Sequence, residues 1–86
     1  MYKVEIKKKV VKQILKLDRS TQIRIGEFLK SLQFIDPRTQ GKELRGDMRG
    51  LWRYRLGNYR LVCQIRDDRL TVIVLKAGHG KDVYRP

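Results

Sequence analysis

The first part of the chain changes from an alternating to a helical pattern of apolar residues. Alternation over Tyr2–Ile6 predicts a half-buried β-strand, and the apolar side of Lys8–Leu17 predicts an amphipathic helix. Asp18 or Ser20 can cap a second helix. The core-facing stripe of that helix has i, i+3, i+4, i+7 spacing and consists of Ile25, Phe28, Leu29 and Leu32. The pattern therefore predicts two antiparallel helices joined by a short turn.

The second part of the chain has the pattern of a β-meander. Asp36-Pro37 ends the helical region, and a glycine-punctuated loop continues to Gly50. Gly57-Asn58 and Asp67-Asp68 are predicted turns. They separate three predicted strands at about Trp52–Leu56, Tyr59–Arg66 and Leu70–Lys76, with Asp82–Arg85 as an edge strand or a turn.

These elements predict an α+β fold in the order β-α-α-β-β-β. Two N-terminal antiparallel helices pack on one face of a small, mainly antiparallel four-stranded sheet. The chain has no repeat, low-complexity tract or linker, so residues 1–86 are expected to form a single domain.

The Gly57-Asn58 turn fixes which side chains share a face of the predicted hairpin. Side chains alternate across a strand, so one face is expected to pack against the helices and to carry Trp52, Tyr54, Leu56, Tyr59, Leu61 and Cys63. The other face carries Arg53, Arg55 and Arg60, with Arg55 directly opposite Arg60. Because like charges placed opposite each other destabilise a sheet, this arrangement indicates a phosphate-binding patch. The alternative is a solvated face on which the arginines lie over Val62 and Ile73.

The charge of the chain favours a polyanionic partner. Lys and Arg number 21 against 9 Asp and Glu, which gives a formal net charge of +12. Nucleic acid is favoured over an anionic membrane or an acidic protein. No apolar run is long enough to span a bilayer and no signal-peptide pattern opens the chain, so a cytoplasmic location is expected. A single Cys argues against a disulfide framework, and one Cys with one His argues against a zinc site. No metal or other cofactor is expected.

The C-terminal segment offers candidate groups for chemistry. His79 lies in a glycine-flanked turn and is the obvious proton carrier, although a lone His in such a turn is also compatible with no role. Tyr84 can stack on an unpaired base or donate its hydroxyl to an oxyanion. Cations around a phosphate and a base near a 2′-hydroxyl suffice for RNA cleavage without a metal.

Four segments resemble the RelE toxins of the RelE/ParE superfamily. They are Gly41-Lys42-Glu43-Leu44-Arg45-Gly46, the run from Gly50-Leu51-Trp52-Arg53 to Leu61-Val62, Gly78-His79, and Asp82-Val83-Tyr84-Arg85. The resemblance implies the toxin of a toxin–antitoxin pair, bound by a cognate antitoxin. It also implies a translation inhibitor that enters the A site of the ribosome, beside its rRNA, and cleaves the mRNA codon through 2′-hydroxyl attack.

The resemblance also implies roles for individual residues. Arg60 falls at the phosphate-stabilising arginine, Arg53 and Arg55 at basic positions of the family, and Tyr84 at the tail tyrosine that places the base. Arg45 and Lys81 complete the expected phosphate contacts, and His79 is the expected acid–base group. Gly80 departs from relatives that carry Arg or Lys there, with Lys81 as the possible substitute. Two alternatives remain: a ParE-like toxin that inhibits DNA gyrase by protein binding, and an RNA-binding module without catalysis.

Overall fold

The computed structural model describes residues 1–80 as two helices beside a five-stranded sheet. The helices are α1 (Lys8–Leu15) and α2 (Arg19–Ser31). The strands are β1 (Lys3–Ile6), β2 (Lys42–Glu43), β3 (Trp52–Leu56), β4 (Tyr59–Arg66) and β5 (Thr71–His79). Neither of these helices has the length and apolar composition needed to cross a membrane.

The sheet has the strand order β1-β5-β4-β3-β2. β1 runs parallel to β5, and the other neighbours are antiparallel. The predicted α+β fold is confirmed, with two differences in the strands. The two-residue strand β2 was not predicted, and it makes the sheet five-stranded rather than four-stranded. The last predicted strand was Leu70–Lys76, whereas β5 begins at Thr71 and continues to His79.

The two ends of β5 differ from the prediction for separate physical reasons. Leu70 ends the preceding turn with a left-handed backbone (φ 47°), so it cannot begin the strand. Beyond Lys76, the backbone stays extended because Leu61 and Tyr59 pair with Ala77 and His79. The segment Asp82–Arg85, predicted as an edge strand or a turn, lies outside the described residues.

One hydrophobic core lies between the helices and one face of the sheet. α1 and α2 contribute Val10, Ile25 and Leu29, and Leu32 follows α2. The sheet contributes Tyr54, Leu61, Cys63, Val72, Val74 and Ala77. The Phe28 ring packs on Tyr54 with 5.0 Å between ring centroids, and Trp52 and Leu56 border the core. The predicted helix-facing side of the hairpin is therefore confirmed for these residues.

The turn between α1 and α2 is closed by side-chain hydrogen bonds. Asp18 is the N-cap of α2 and accepts from the backbone N–H of Thr21 at 3.1 Å, which confirms it as one of the two predicted caps. Gln22 Nε2 donates to the carbonyl oxygens of Leu15 and Leu17. These bonds satisfy backbone groups that the helix ends leave open, so α1 stops at Leu15 rather than at the predicted Leu17.

Asp18→Ala is expected to destabilise the protein in a pH-dependent way. Hydrogen bonds from Ser20 and Thr21 lower the pKa of the Asp18 carboxyl from 3.8 to about 2. Because the folded-state pKa is depressed, the contribution to stability is fully present above about pH 4 and is lost as the pH falls toward 2. Thermal unfolding followed by circular dichroism should give a melting temperature several degrees lower for the variant at pH 7, with the difference much smaller at pH 2, where half of the carboxyl is protonated. An unchanged difference at pH 2 would show that the carboxylate charge is not the stabilising feature.

Candidate functional site: a cationic sheet face

The β3–β4 hairpin determines the geometry of the candidate site. Gly57 has φ 62°, and Asn58 stays at negative φ, which is the backbone of a type II′ turn. The turn sets Arg55 opposite Arg60 and Arg53 opposite Val62, as predicted. Directly opposite residues of an antiparallel pair share a face, so the three arginines lie on the face turned away from the helices.

The cationic face contains two rows of residues that are paired across neighbouring strands. The first cationic row consists of Arg55 on β3, Arg60 on β4 and Gly78 on β5. The Arg60 guanidinium donates from Nη1 to the carbonyl oxygens of Gly57 at 2.7 Å and Tyr59 at 3.0 Å. It also occupies the space above Gly80, where an added Cβ would lie 3.4 Å from Arg60 Cζ. Arg60 is therefore held over the hairpin turn by backbone acceptors, and the glycine at position 80 leaves room for it.

The second cationic row contains Lys42, Arg53, Val62 and Lys76. It lies two residues along the strands from the first row, a separation of roughly 7 Å. Arg53 Nε is buried, and no hydrogen-bond partner for it is found among residues 1–80. Lys42 and Lys76 were not among the predicted site residues. The only sequence signal for them would have been their register with Arg53, which depends on strand pairing that the pattern did not reveal.

A β-bulge determines the face on which the end of β5 presents its side chains. The pairing moves from Cys63–Val74 to Val62–Lys76, which leaves Leu75 as an extra residue in β5. Strict alternation from the buried Val74 would direct Lys76 toward the helices. The extra residue instead places Lys76 on the cationic face, which is a typical effect of a bulge on side-chain direction.

The same bulge places His79 on the opposite face from Arg60. His79 pairs with Tyr59, and the two rings meet edge to face with 6.1 Å between centroids. The structure therefore brings the three predicted arginines together, but it does not bring the His79 side chain into their row. Gly78 and Gly80, on either side of His79, are the residues that lie beside Arg60.

The remaining predicted site residues lie elsewhere in the chain. Arg45 is exposed at the start of the turn Gly46–Met48, and it lines a depression of about 560 Å³ together with Lys42 and Trp52. Lys81 and Tyr84 fall outside the part of the chain that the structure describes.

The arginines of the cationic face take part in none of the salt bridges found between described residues. Between described residues, salt bridges join Arg38 to Asp67 at 2.7 Å and Arg66 to Asp68 at 3.1 Å. Neither involves Arg53, Arg55 or Arg60. Adjacent guanidinium groups of this kind can bind phosphate oxygens, to which their planar fork of donors is matched. Within residues 1–80, no three His, Cys, Asp or Glu side chains are grouped closely enough to hold a metal ion.

Cys63 is expected to be chemically inert in the folded protein. Its side chain is fully buried in the core, and desolvation raises the pKa of the thiol to about 12. At pH 8 the native protein should therefore resist alkylation by iodoacetamide, whereas the guanidinium-unfolded chain should be labelled completely, as measured by mass spectrometry. Rapid labelling of the native protein would contradict this placement of Cys63.

Comparisons with known proteins agree with this fold. A family model described as the ParE toxin of the type II toxin–antitoxin system parDE matches residues 4–84. The toxin RelG of Mycobacterium tuberculosis is 40% identical over 50 residues, and this match spans 58% of the chain and 58% of RelG.

Solved structures extend the similarity over the whole fold. The RelBE2 toxin–antitoxin complex of M. tuberculosis contains a chain that is 30% identical, with a TM-score of 0.83 and coverage of 91% of this chain and 96% of that one. The isolated RelE toxin of E. coli is 26% identical, with a TM-score of 0.77 and coverage of 92% and 84%. The archaeal RelE–RelB complex of Pyrococcus horikoshii contains a chain that is 30% identical, with a TM-score of 0.74 and coverage of 91% and 93%.

The helix pair on a mixed sheet, with the opposite face lined by arginines, defines a toxin of the RelE/ParE superfamily. The match over residues 4–84 places it more narrowly: the chain belongs to the ParE toxin family of type II toxin–antitoxin systems. Its three-dimensional structure is RelE-like.

Proposed function

We propose that this toxin is a ribosome-dependent mRNA endoribonuclease that inhibits translation by cleaving the codon in the A site. The observation that carries the proposal is the Arg55–Arg60 pair on the open sheet face, bordered by the row that contains Lys42, Arg53 and Lys76. A face selected for stability alone rarely concentrates like charges in directly opposite positions. An RNA backbone carries the negative charge that complements these side chains.

The reaction follows from the chemistry of RNA and needs no external cofactor. The 2′-oxygen of one nucleotide attacks the adjacent phosphorus while a base removes the hydroxyl proton. The bond from phosphorus to the 5′-oxygen of the next nucleotide breaks, and that oxygen gains a proton. The products are a 2′,3′-cyclic phosphate and a free 5′-hydroxyl. Charge accumulates on the phosphoryl oxygens in the transition state, where fixed cationic donors have their largest effect.

The proposed roles follow the positions of the side chains. Arg60 binds the scissile phosphate, because its guanidinium is already oriented by two backbone carbonyls. Arg53 and Arg55 hold the neighbouring backbone and neutralise charge. Arg45 contacts phosphate further along the strand, near the depression that it lines.

The groups proposed for proton transfer and base placement belong to the end of the chain. His79 is the candidate proton carrier, and its position on the other face requires the RNA to reach around the end of β5. Tyr84 orients the base and Lys81 adds a phosphate contact. Comparing cleavage by His79→Ala and Tyr84→Ala with that by the unaltered toxin tests these two roles separately.

The proposed partners are the ribosome with its mRNA, and a cognate antitoxin. Several similar structures are toxin–antitoxin or RelB–RelE complexes, which supports an antitoxin that binds this chain as well. A substrate on the ribosome places the protein in the cytoplasm. An antitoxin segment that carries carboxylates would neutralise the same cationic face.

A second candidate function is inhibition of DNA gyrase without RNA cleavage. It is favoured by the family model, which describes a ParE toxin. Gyrase inhibition depends on protein contacts and does not require a row of arginines shaped for phosphate. DNA supercoiling by purified gyrase in the presence of the toxin tests this candidate directly.

The first experiment is primer extension on a defined mRNA in a translating extract, with and without the toxin. New 5′ ends within the A-site codon, dependent on translation, are expected. Intact mRNA together with inhibited supercoiling would replace the nuclease with the gyrase inhibitor. RNA binding that weakens steeply with salt but gives no cleavage product would instead indicate a binding module.

A further inference from the structure

A groove of about 510 Å³ lies on the open face of the sheet, next to the cationic rows. Val62 and Lys76, the central residues of the second row, form part of its lining. The Arg55–Arg60 row is one step further along the same strands, roughly 7 Å away. The groove is therefore continuous with the surface to which we assign the scissile phosphate, and it does not include the three arginines themselves.

The lining of the groove combines two kinds of side chain. The apolar part consists of Met48, Leu51, Val62 and Leu75. The cationic part consists of Lys7, Lys8 and Lys9 at the start of α1, together with Lys76 on β5. Its described lining contains no acidic residue. Leu75 and Lys76 both contribute because the bulge in β5 directs two successive residues toward this face.

We propose that this groove holds the base of a single-stranded mRNA nucleotide that flanks the scissile phosphate, with the lysines holding the adjoining phosphates. This inference rests on the proposed nuclease function and identifies a substrate contact that the arginines do not make. The step between the two rows is comparable with the step between neighbouring nucleotides in an extended RNA strand. A phosphate over Arg55 and Arg60 therefore leaves the next nucleotide above the groove.

The chemistry of the groove fits an unstacked base. Its volume lies within the range of pockets that hold small molecules. Burial of a base against apolar side chains is favourable for any of the four bases, because each has an apolar face. The polar side chains of the lining are lysines, whose ammonium groups can donate to phosphate oxygens or to acceptor atoms of a base. Because lysine has no acceptor, these side chains cannot recognise the donor atoms of a base. We therefore expect affinity from this contact with little discrimination between bases.

The experiment measures toxin binding to ribosomes programmed with an mRNA whose A-site codon carries 2′-deoxy sugars, so that cleavage does not interfere. Templates with an abasic residue at each codon position are compared with the intact template. Removing the docked base at one position should weaken binding about fivefold or more. In Met48→Ala, which removes part of the apolar lining, the penalty at that position should shrink toward unity. Leu15→Ala, an exposed apolar residue of α1 that does not line the groove, should keep the full penalty.

The lysines are tested by a separate variant. Lys8→Ala combined with Lys9→Ala should weaken binding to the intact and abasic templates by the same factor, because phosphates are present in both. Equal affinity of the unaltered toxin for all templates would overturn the inference. So would an abasic penalty that Met48→Ala leaves unchanged.

Two other outcomes separate this inference from the proposed function. If the toxin cleaves an unmodified A-site codon but no abasic position affects binding, the nuclease function stands and base docking is wrong. If the groove variants lose affinity for an antitoxin peptide and keep the abasic penalty, the groove is a protein-binding site and the inference is wrong. Absence of any binding to programmed ribosomes would overturn both proposals.

Discussion

Arg60→Ala is expected to reduce A-site mRNA cleavage by about 10²–10³-fold in the single-turnover rate constant. The guanidinium is held by the carbonyl oxygens of Gly57 and Tyr59, so it does not have to be reorganised when charge develops on the phosphoryl oxygens. Removing such a preorganised donor acts on the transition state more than on binding of the substrate. Primer extension after rapid mixing of toxin with programmed ribosomes measures the rate.

Two further variants make this result specific. Arg66→Ala removes the same charge from the same strand, but Arg66 is paired with Asp68 at the far end of β4, so near-normal cleavage is expected. Arg60→Lys retains the charge without the planar fork of donors and should recover part of the lost rate. Circular dichroism confirms that each variant is folded. Full activity of Arg60→Ala would remove Arg60 from the proposed site.

Gly41→Ala is expected to destabilise the protein by about 3 kcal/mol or more. Gly41 has φ 76°, a left-handed backbone that an L-residue adopts only with strain. A Cβ at this position would overlap the carbonyl oxygen of Arg53 and would lie 2.7 Å from Trp52 Nε1. Since the loop carrying Gly41 packs against β3, the overlap also disturbs the strand that presents Arg53 and Arg55. Thermal unfolding should shift downward by at least about 12 °C.

Gly26→Ala is the matched control for this change. Gly26 lies inside α2, and a Cβ there would meet no atom within 4 Å. Alanine reduces the conformational entropy of the unfolded chain and favours the helix, so the variant should gain about 0.5–1 kcal/mol in stability. Equal melting temperatures for the Gly41→Ala variant and the unaltered protein would contradict the close approach of this loop to β3.

The arginine pair is the part of the site that was predictable from local sequence. Gly57-Asn58 allows a two-residue turn, and a two-residue turn leaves one register for the strands on either side of it. With that register and the alternation of side chains, Arg55 had to face Arg60, and Tyr54 and Leu61 had to share the buried face. The structure confirms each of these positions. The second helix was also predictable from local sequence, because the spacing of Ile25, Leu29 and Leu32 places these apolar side chains on one helix face.

Other parts of the site depended on contacts between segments far apart in sequence. Lys42 joins the face because a two-residue segment pairs with β3 across a loop whose glycines conceal any strand pattern. The bulge at Leu75 has no local signature, yet it reverses the faces of all later residues of β5. It brings Lys76 to the arginines and directs His79 toward Tyr59, although His79 is the acid–base group that the sequence analysis expects in the same site. The resemblance to RelE toxins indicated the family but could not supply this geometry.

The amino-acid sequence by itself determined the large positive charge, which depends on composition alone. It also determined the helix pair and the β3–β4 hairpin with its three arginines, because these depend on the spacing of residues that are close together in the chain. Tertiary structure alone decided which further lysines join that face, where the groove lies and how Arg60 is held above Gly80. These features arise from strand pairing between distant segments, in which backbone hydrogen bonding and core packing override the local alternation of side chains.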